Sequence, residues 1–158
     1  MKRFISIVIL SFFACIVTPL AHATRIAPLP TFQNTTILNA GTDNAATKTH
    51  AAILKGAALQ KWSIVSDGGN TVRLSLTVRD KHEMVVDVHI RGNVVDVDYV
   101  SSKNMAYEKE YVDTRRMDDT QCRYVSGACL IPAGIKVIHP NYGVWVKRLL
   151  DASRKAAD

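Results

Sequence analysis

The sequence predicts an α+β fold: a helix, a four-stranded antiparallel meander and a second helix, with both helices on one face of the sheet as a two-layer sandwich. Three observations carry this. Apolar and polar residues alternate through successive runs between residues 72 and 99, the period of half-buried strands. Turn residues separate those runs at hairpin spacing. Amphipathic helical stretches flank them on both sides.

The chain opens on a segment that reads as an export signal. Lys2 and Arg3 precede an apolar run over residues 4–17, and Ala21-His22-Ala23 supplies an A-x-A cleavage site. The run falls short of the ~20 apolar residues of a membrane-spanning helix. Residues 1–23 are therefore expected to be a signal peptide, the mature protein to start at Thr24, and its location to be periplasmic or secreted. Ala14-Cys15 partly fits a lipoprotein site, so a lipid anchor through Cys15 is the alternative. Residues 24–48, with Pro28, Pro30 and many small polar residues, read as an extended arm. Residues 49–158 then form a single α+β domain.

Its first helix starts near Thr47 or Thr49 as N-cap and runs to Lys61, with Ile53, Leu54, Ala57 and Ala58 on one stripe. Gly56 weakens a helix interior, which points to a packing reason for it. In the strands, Val72, Leu74, Leu76 and Val78 form one inward set, Met84, Val86, Val88 and Ile90 the next, and Val95, Val97 and Tyr99 the last. A two-residue loop at Gly92-Asn93 pairs Ile90 with Val95, Val88 with Val97 and Val86 with Tyr99. A three-residue loop at Asp80-Lys81-His82 pairs Arg79 with Glu83 and Leu76 with Val86. A similar loop at Asp67-Gly68-Gly69 sets Trp62 and Ile64 opposite Leu74 and Val72. Slipping any pair by one residue would turn its apolar set outward.

Residues 107–137 break the pattern and read as a loop insertion, with a small hairpin as an option. Cys122 and Cys129 are the only cysteines left after cleavage, and in an oxidising compartment the pair is expected to form a disulfide that staples this loop. Asn141 then caps a helix to about Lys155, with Tyr142, Trp145, Val146, Leu149 and Leu150 on its buried face.

Composition limits the function more than it specifies it. The formal net charge of +6 falls to about +4 once Lys2 and Arg3 are removed, and acids and bases interleave along the chain. A nucleic-acid binder would cluster its bases, so nucleic acid is not an expected partner. No His, Cys or acidic spacing matches a metal site and no cofactor motif is present, so neither a metal nor a cofactor is expected. His89 falls opposite Asp96 on the outer sheet face with Arg73 beyond it, yet no nucleophile stands in a recognisable context nearby. An exposed cross-strand pair accounts for His89 and Asp96 as well as catalysis does. Asp98 projects beside Asp96, with Asp87 opposite, as solvated strand residues do. Trp62 and Trp145 read as core, and Gly68-Gly69 as a turn, not a phosphate loop.

Lys61 and Trp62, the Asn104-Met105-Ala106-Tyr107 run and above all Ile138-His139-Pro140-Asn141-Tyr142-Gly143-Val144-Trp145-Val146 resemble a family of small, uncharacterised bacterial envelope proteins, many of them lipoproteins. The resemblance spans about residues 50–155 and implies a fold and a compartment, without an activity. The long link between Tyr107 and Ile138, with its cysteine pair, departs from that pattern.

The function expected from the sequence is that of an exported, non-enzymatic envelope domain that binds a protein or an anionic envelope surface. The expected contact segment is residues 108–136, with Arg115, Arg116 and Arg123 as anchors. The alternative is a small periplasmic hydrolase or protease inhibitor using the His89/Asp96 face.

Overall fold

The computed structural model describes residues 26–109, 122–125, 128–132 and 134–157. In chain order these form β1 (Ala27–Pro28), β2 (Phe32–Thr36), α1 (Ala45–Leu59), β3 (Ser63–Asp67), β4 (Thr71–Val78), β5 (His82–Arg91), β6 (Val94–Lys103), β7 (Cys122–Val125), β8 (Ala128–Pro132), β9 (Val137–Ile138) and α2 (Asn141–Ala157). The main sheet is antiparallel, in the order β2-β6-β5-β4-β3, while β1 pairs with β9 and β7 with β8.

One core joins the layers. Val72 and Leu74 of β4, Met84, Val86 and Val88 of β5, and Val95 and Val97 of β6 pack in one cluster with Ile53 and Ala57 of α1 and Tyr142, Val146 and Leu149 of α2. Full burial of each Val, Leu, Ile or Met side chain among them is worth about 1.5–3 kcal/mol. The helices also pack on each other. A Cβ on Gly56 would lie 2.8 Å from the Ser153 Cα, so only glycine lets α1 and α2 approach this closely.

The α+β class and the helix–meander–helix order hold, but the sheet has five strands, not four. The fifth is β2, from the stretch read as an extended arm. It pairs with β6 through Phe32 opposite Val97 and Thr35 opposite Val95, with a bulge between them at which Asn34 adopts φ 51°. The cause is polar: the buried Asp96 carboxylate accepts the Asn34 N–H (2.7 Å), and Arg91 donates to the Asn34 side-chain oxygen (2.9 Å).

The hairpin β5–β6 has the predicted register, from Arg91 opposite Val94 to Val86 opposite Tyr99, before a bulge shifts Val85 onto Ser101. The other two hairpins differ. Leu76 faces Met84 and Leu74 faces Val86, two residues from the predicted pairing, because the turn falls on Arg79 and Asp80, both at positive φ. A two-residue shift keeps the inward set inward. Ile64 faces Leu74 and Asp67 faces Val72, because the turn begins at Gly68, whose N–H donates to the Thr71 carbonyl (3.0 Å), and the Asp67 carboxylate accepts the Gly69 N–H (2.9 Å).

Helix α1 begins earlier than predicted, after Asn44 at φ 54°. Thr49 is thus inside the helix, fully buried, and its hydroxyl has no hydrogen-bond partner. Helix α2 includes Asn141, and the predicted cap role passes to His139, whose Nδ1 accepts the Asn141 N–H (3.2 Å). Tyr142, Val146, Leu149 and Leu150 are buried as predicted, whereas Trp145 is only half-buried, beside His82.

Candidate binding cleft

The arm, the sheet edge and the roots of the 108–136 segment meet around one cleft. The arm is fixed first: Leu29 N–H donates to the Lys136 carbonyl (2.9 Å), and β1 lies against β9. Glu108 and Val137 exchange two backbone hydrogen bonds, at 3.0 and 2.9 Å, which clamp the two ends of the insertion together. His139 N–H donates to the Met105 carbonyl (2.7 Å) and seats the start of α2 beside them. Gly143 lets the arm close on that helix, since a Cβ there would lie 3.1 Å from the Pro30 Cγ.

These contacts enclose an open cleft of ≈ 620 Å³ bordered by the arm from Pro28 to Gln33, by Val97, Asp98 and Tyr99 of β6, and by Tyr107, Lys136 and Tyr142. Its aromatic floor is formed by Tyr99 and Tyr107, backed by the buried Tyr142 and, away from the cleft, Phe32. Tyr99 stacks on Tyr107 with ring centroids 4.3 Å apart, meets Tyr142 edge-on at 5.8 Å, and Tyr142 in turn contacts Phe32 at 6.4 Å. Such offset and edge-on pairs add about 0.5–1.5 kcal/mol beyond area burial. Polar groups sit at the rim. Gln33 Nε2 donates to Asp98 Oδ1 (3.2 Å), and Asp98 remains more than half exposed.

Burial pushes the Tyr142 phenol well above its usual range, with the Asp98 carboxylate and the neighbouring Tyr99 adding to the effect. Burial also raises Tyr99, partly offset by its hydrogen bond with Ser102 (2.9 Å). Both therefore stay neutral phenols near pH 7. The cleft offers aromatic faces, one carboxylate, one amide and one ammonium group.

The sequence-predicted residues fare unevenly. His89 stands opposite Asp96 in the sheet as expected, but the two do not form the expected contact. Asp96 is buried under β2 and bonded to Arg91 and Asn34, while His89 hydrogen-bonds with Thr71 (3.0 Å) and lies 3.3 Å from Asp98. Arg73 grips Asp87 through two hydrogen bonds of 2.7 Å and holds that carboxyl below its usual range. Asp87 does face Asp98, as read. Arg115 and Arg116 lie outside the described residues, as does residue 15. Arg123 and Cys122 fall on β7 and Cys129 on β8, and the backbone register sets Cys122 opposite Pro132 and Cys129 opposite Tyr124.

The cleft residues themselves escaped the sequence reading. Tyr99 and Tyr142 sit at inward positions of strand and helix, which marks core, and Pro28 and Pro30 mark irregular chain. Among the described residues no group of three or more His, Cys, Asp or Glu side chains is placed to hold a metal ion, and no helix is long and apolar enough to cross a membrane. Comparisons with protein-family models, with curated proteins and with solved structures give no match.

Proposed function

We propose that this chain is an exported envelope protein that acts by binding rather than turnover, and that its contact surface is the tyrosine-floored cleft together with the 108–136 segment rooted at its rim. The cleft carries the reading: concave, aromatic sites with a few polar groups at the edge are where ligands bind, and both ends of the segment, at Tyr107 and Lys136, line it. The partner is an envelope protein. Arg115, Arg116 and Arg123 are its anchors, since a guanidinium makes forked contacts to carboxylates. A Cys122–Cys129 disulfide restricts the segment before binding and lowers the ordering cost. The alternative, a small periplasmic hydrolase or protease inhibitor using the His89/Asp96 face, is less favoured as a hydrolase, since His89 engages Thr71 and Asp98 while Asp96 engages Arg91 and the Asn34 N–H.

Immobilised mature protein exposed to envelope extract tests this. Tyr107→Ala, and replacement of residues 110–133 by a short Gly/Asn turn that leaves Glu108 and Lys136 in place, should each give a folded domain that no longer captures the partner. Undiminished capture by both variants would move the contact surface to the polar sheet face around Arg73, Asp87 and His89.

A further inference from the structure

Strand β3 ends the sheet opposite β2, and among the described residues nothing pairs with its outer edge. All five of its residues are exposed. Ile64 and Val65 are 52% and 56% exposed, and Leu59, at the end of the adjoining helix α1, is 65% exposed. A bulge between Ile64 and Ser66 accommodates Val65 as an extra residue, so two β-branched side chains sit side by side at the edge. Natural sheets blunt exposed edges with lysine, proline, inward charges, short strands or bulges, and of these β3 has only its short length and the Val65 bulge. Residues 63–66 carry no lysine, proline or charge, and Asp67 at the strand's end, although it accepts from His50 (2.8 Å) and the Gly69 N–H, keeps its side chain 34% exposed. Apolar side chains concentrated on an open edge mark a contact surface.

We propose that β3 is the interface with a second copy of this chain, the two strands pairing antiparallel about a two-fold axis. The charges at the strand's ends select this occupant. Exposed Lys61 stands just before β3 and Asp67 closes it. Antiparallel alignment brings Lys61 of each copy toward Asp67 of the other, whereas parallel alignment would set like charges together. The two-fold axis also places each copy's Ile64 and Val65 against the same patch of its partner, the isologous contact of most homodimers. Unmet backbone N–H and C=O groups of both edges are satisfied in the same step. This surface is on the far edge of the sheet from the cleft, so dimerisation leaves both clefts open.

Sedimentation equilibrium of the mature chain from low-micromolar to sub-millimolar concentration reads this directly. The wild type should show a monomer–dimer equilibrium, and Val65→Lys should raise the dissociation constant by about tenfold or more while its thermal midpoint matches the wild type's at concentrations where both are monomeric. K61D and D67K should each weaken the dimer, since each sets like charges together. An equimolar mixture of the two should regain it as a heterodimer with opposite charges in both pairs. A monomer at every concentration, or a dimer indifferent to Val65→Lys, would overturn the interface. A dimer broken by Val65→Lys but insensitive to the charge variants would overturn the antiparallel alignment.

Discussion

Single residues carry the sharpest consequences. Thr49 keeps a buried hydroxyl without a partner, so Thr49→Val, of nearly the same shape, should stabilise the fold by about 1 kcal/mol or more in chemical denaturation. Asp96 and His89 occupy one register pair but different environments. Asp96→Ala leaves Arg91 and the Asn34 N–H without their acceptor and should cost about 1–3 kcal/mol, while His89→Ala should cost less than about 1 kcal/mol. Alternation alone puts both on the outer face. Burial of Asp96 comes from β2, which no local pattern around Asp96 announces. Asp87 adds a pH dependence: its carboxyl is held below the usual range chiefly by the Arg73 hydrogen bonds. A depressed folded-state value contributes stability above the unfolded value near 3.8 that is lost as pH falls through the folded one. The denaturation midpoint of Asp87→Asn should therefore fall less steeply with acidification than that of the wild type.

Whole elements explain which parts of the fold were legible. The β5–β6 hairpin is readable because Gly92-Asn93 is a strong two-residue turn and the inner pairs Ile90–Val95, Val88–Val97 and Val86–Tyr99 are all apolar. The β4–β5 register was missed because pairing Arg79 with Glu83 by charge hid a backbone that turns through Arg79 and Asp80 at positive φ. Gly56 was correctly read as a packing glycine, and Ser153 is the neighbour that needs it. Strand β2 was illegible because Phe32-Gln33-Asn34-Thr35-Thr36 lacks apolar alternation and is held by side-chain polar contacts with β6. Removing the arm through Thr36 should therefore strip hydrogen-exchange protection from the β6 amides that face it, around Val95 and Val97, while leaving those shared by β4 and β5 protected. Equal protection in the truncated chain would mean that β2 does not cover that edge.

At the scale of the molecule, the arm, the sheet edge and the insertion act together. The sequence shows an insertion with two cysteines, but not that its ends, the prolines of the arm and three tyrosines converge, because those contacts join residues far apart in the chain. Thiol counting on protein recovered from the envelope should find Cys122 and Cys129 both oxidised, and two free thiols would remove the staple from the account. The central claim is that the cleft is the contact surface, and site-specific photo-crosslinking in intact cells tests it most directly. Probes at Thr31 and Lys136 on the cleft rim should trap one common protein, whereas probes at exposed Thr77 on β4 and Lys55 on α1 should trap nothing specific. The same adduct formed from Thr77 or Lys55, with none from the rim, would contradict it.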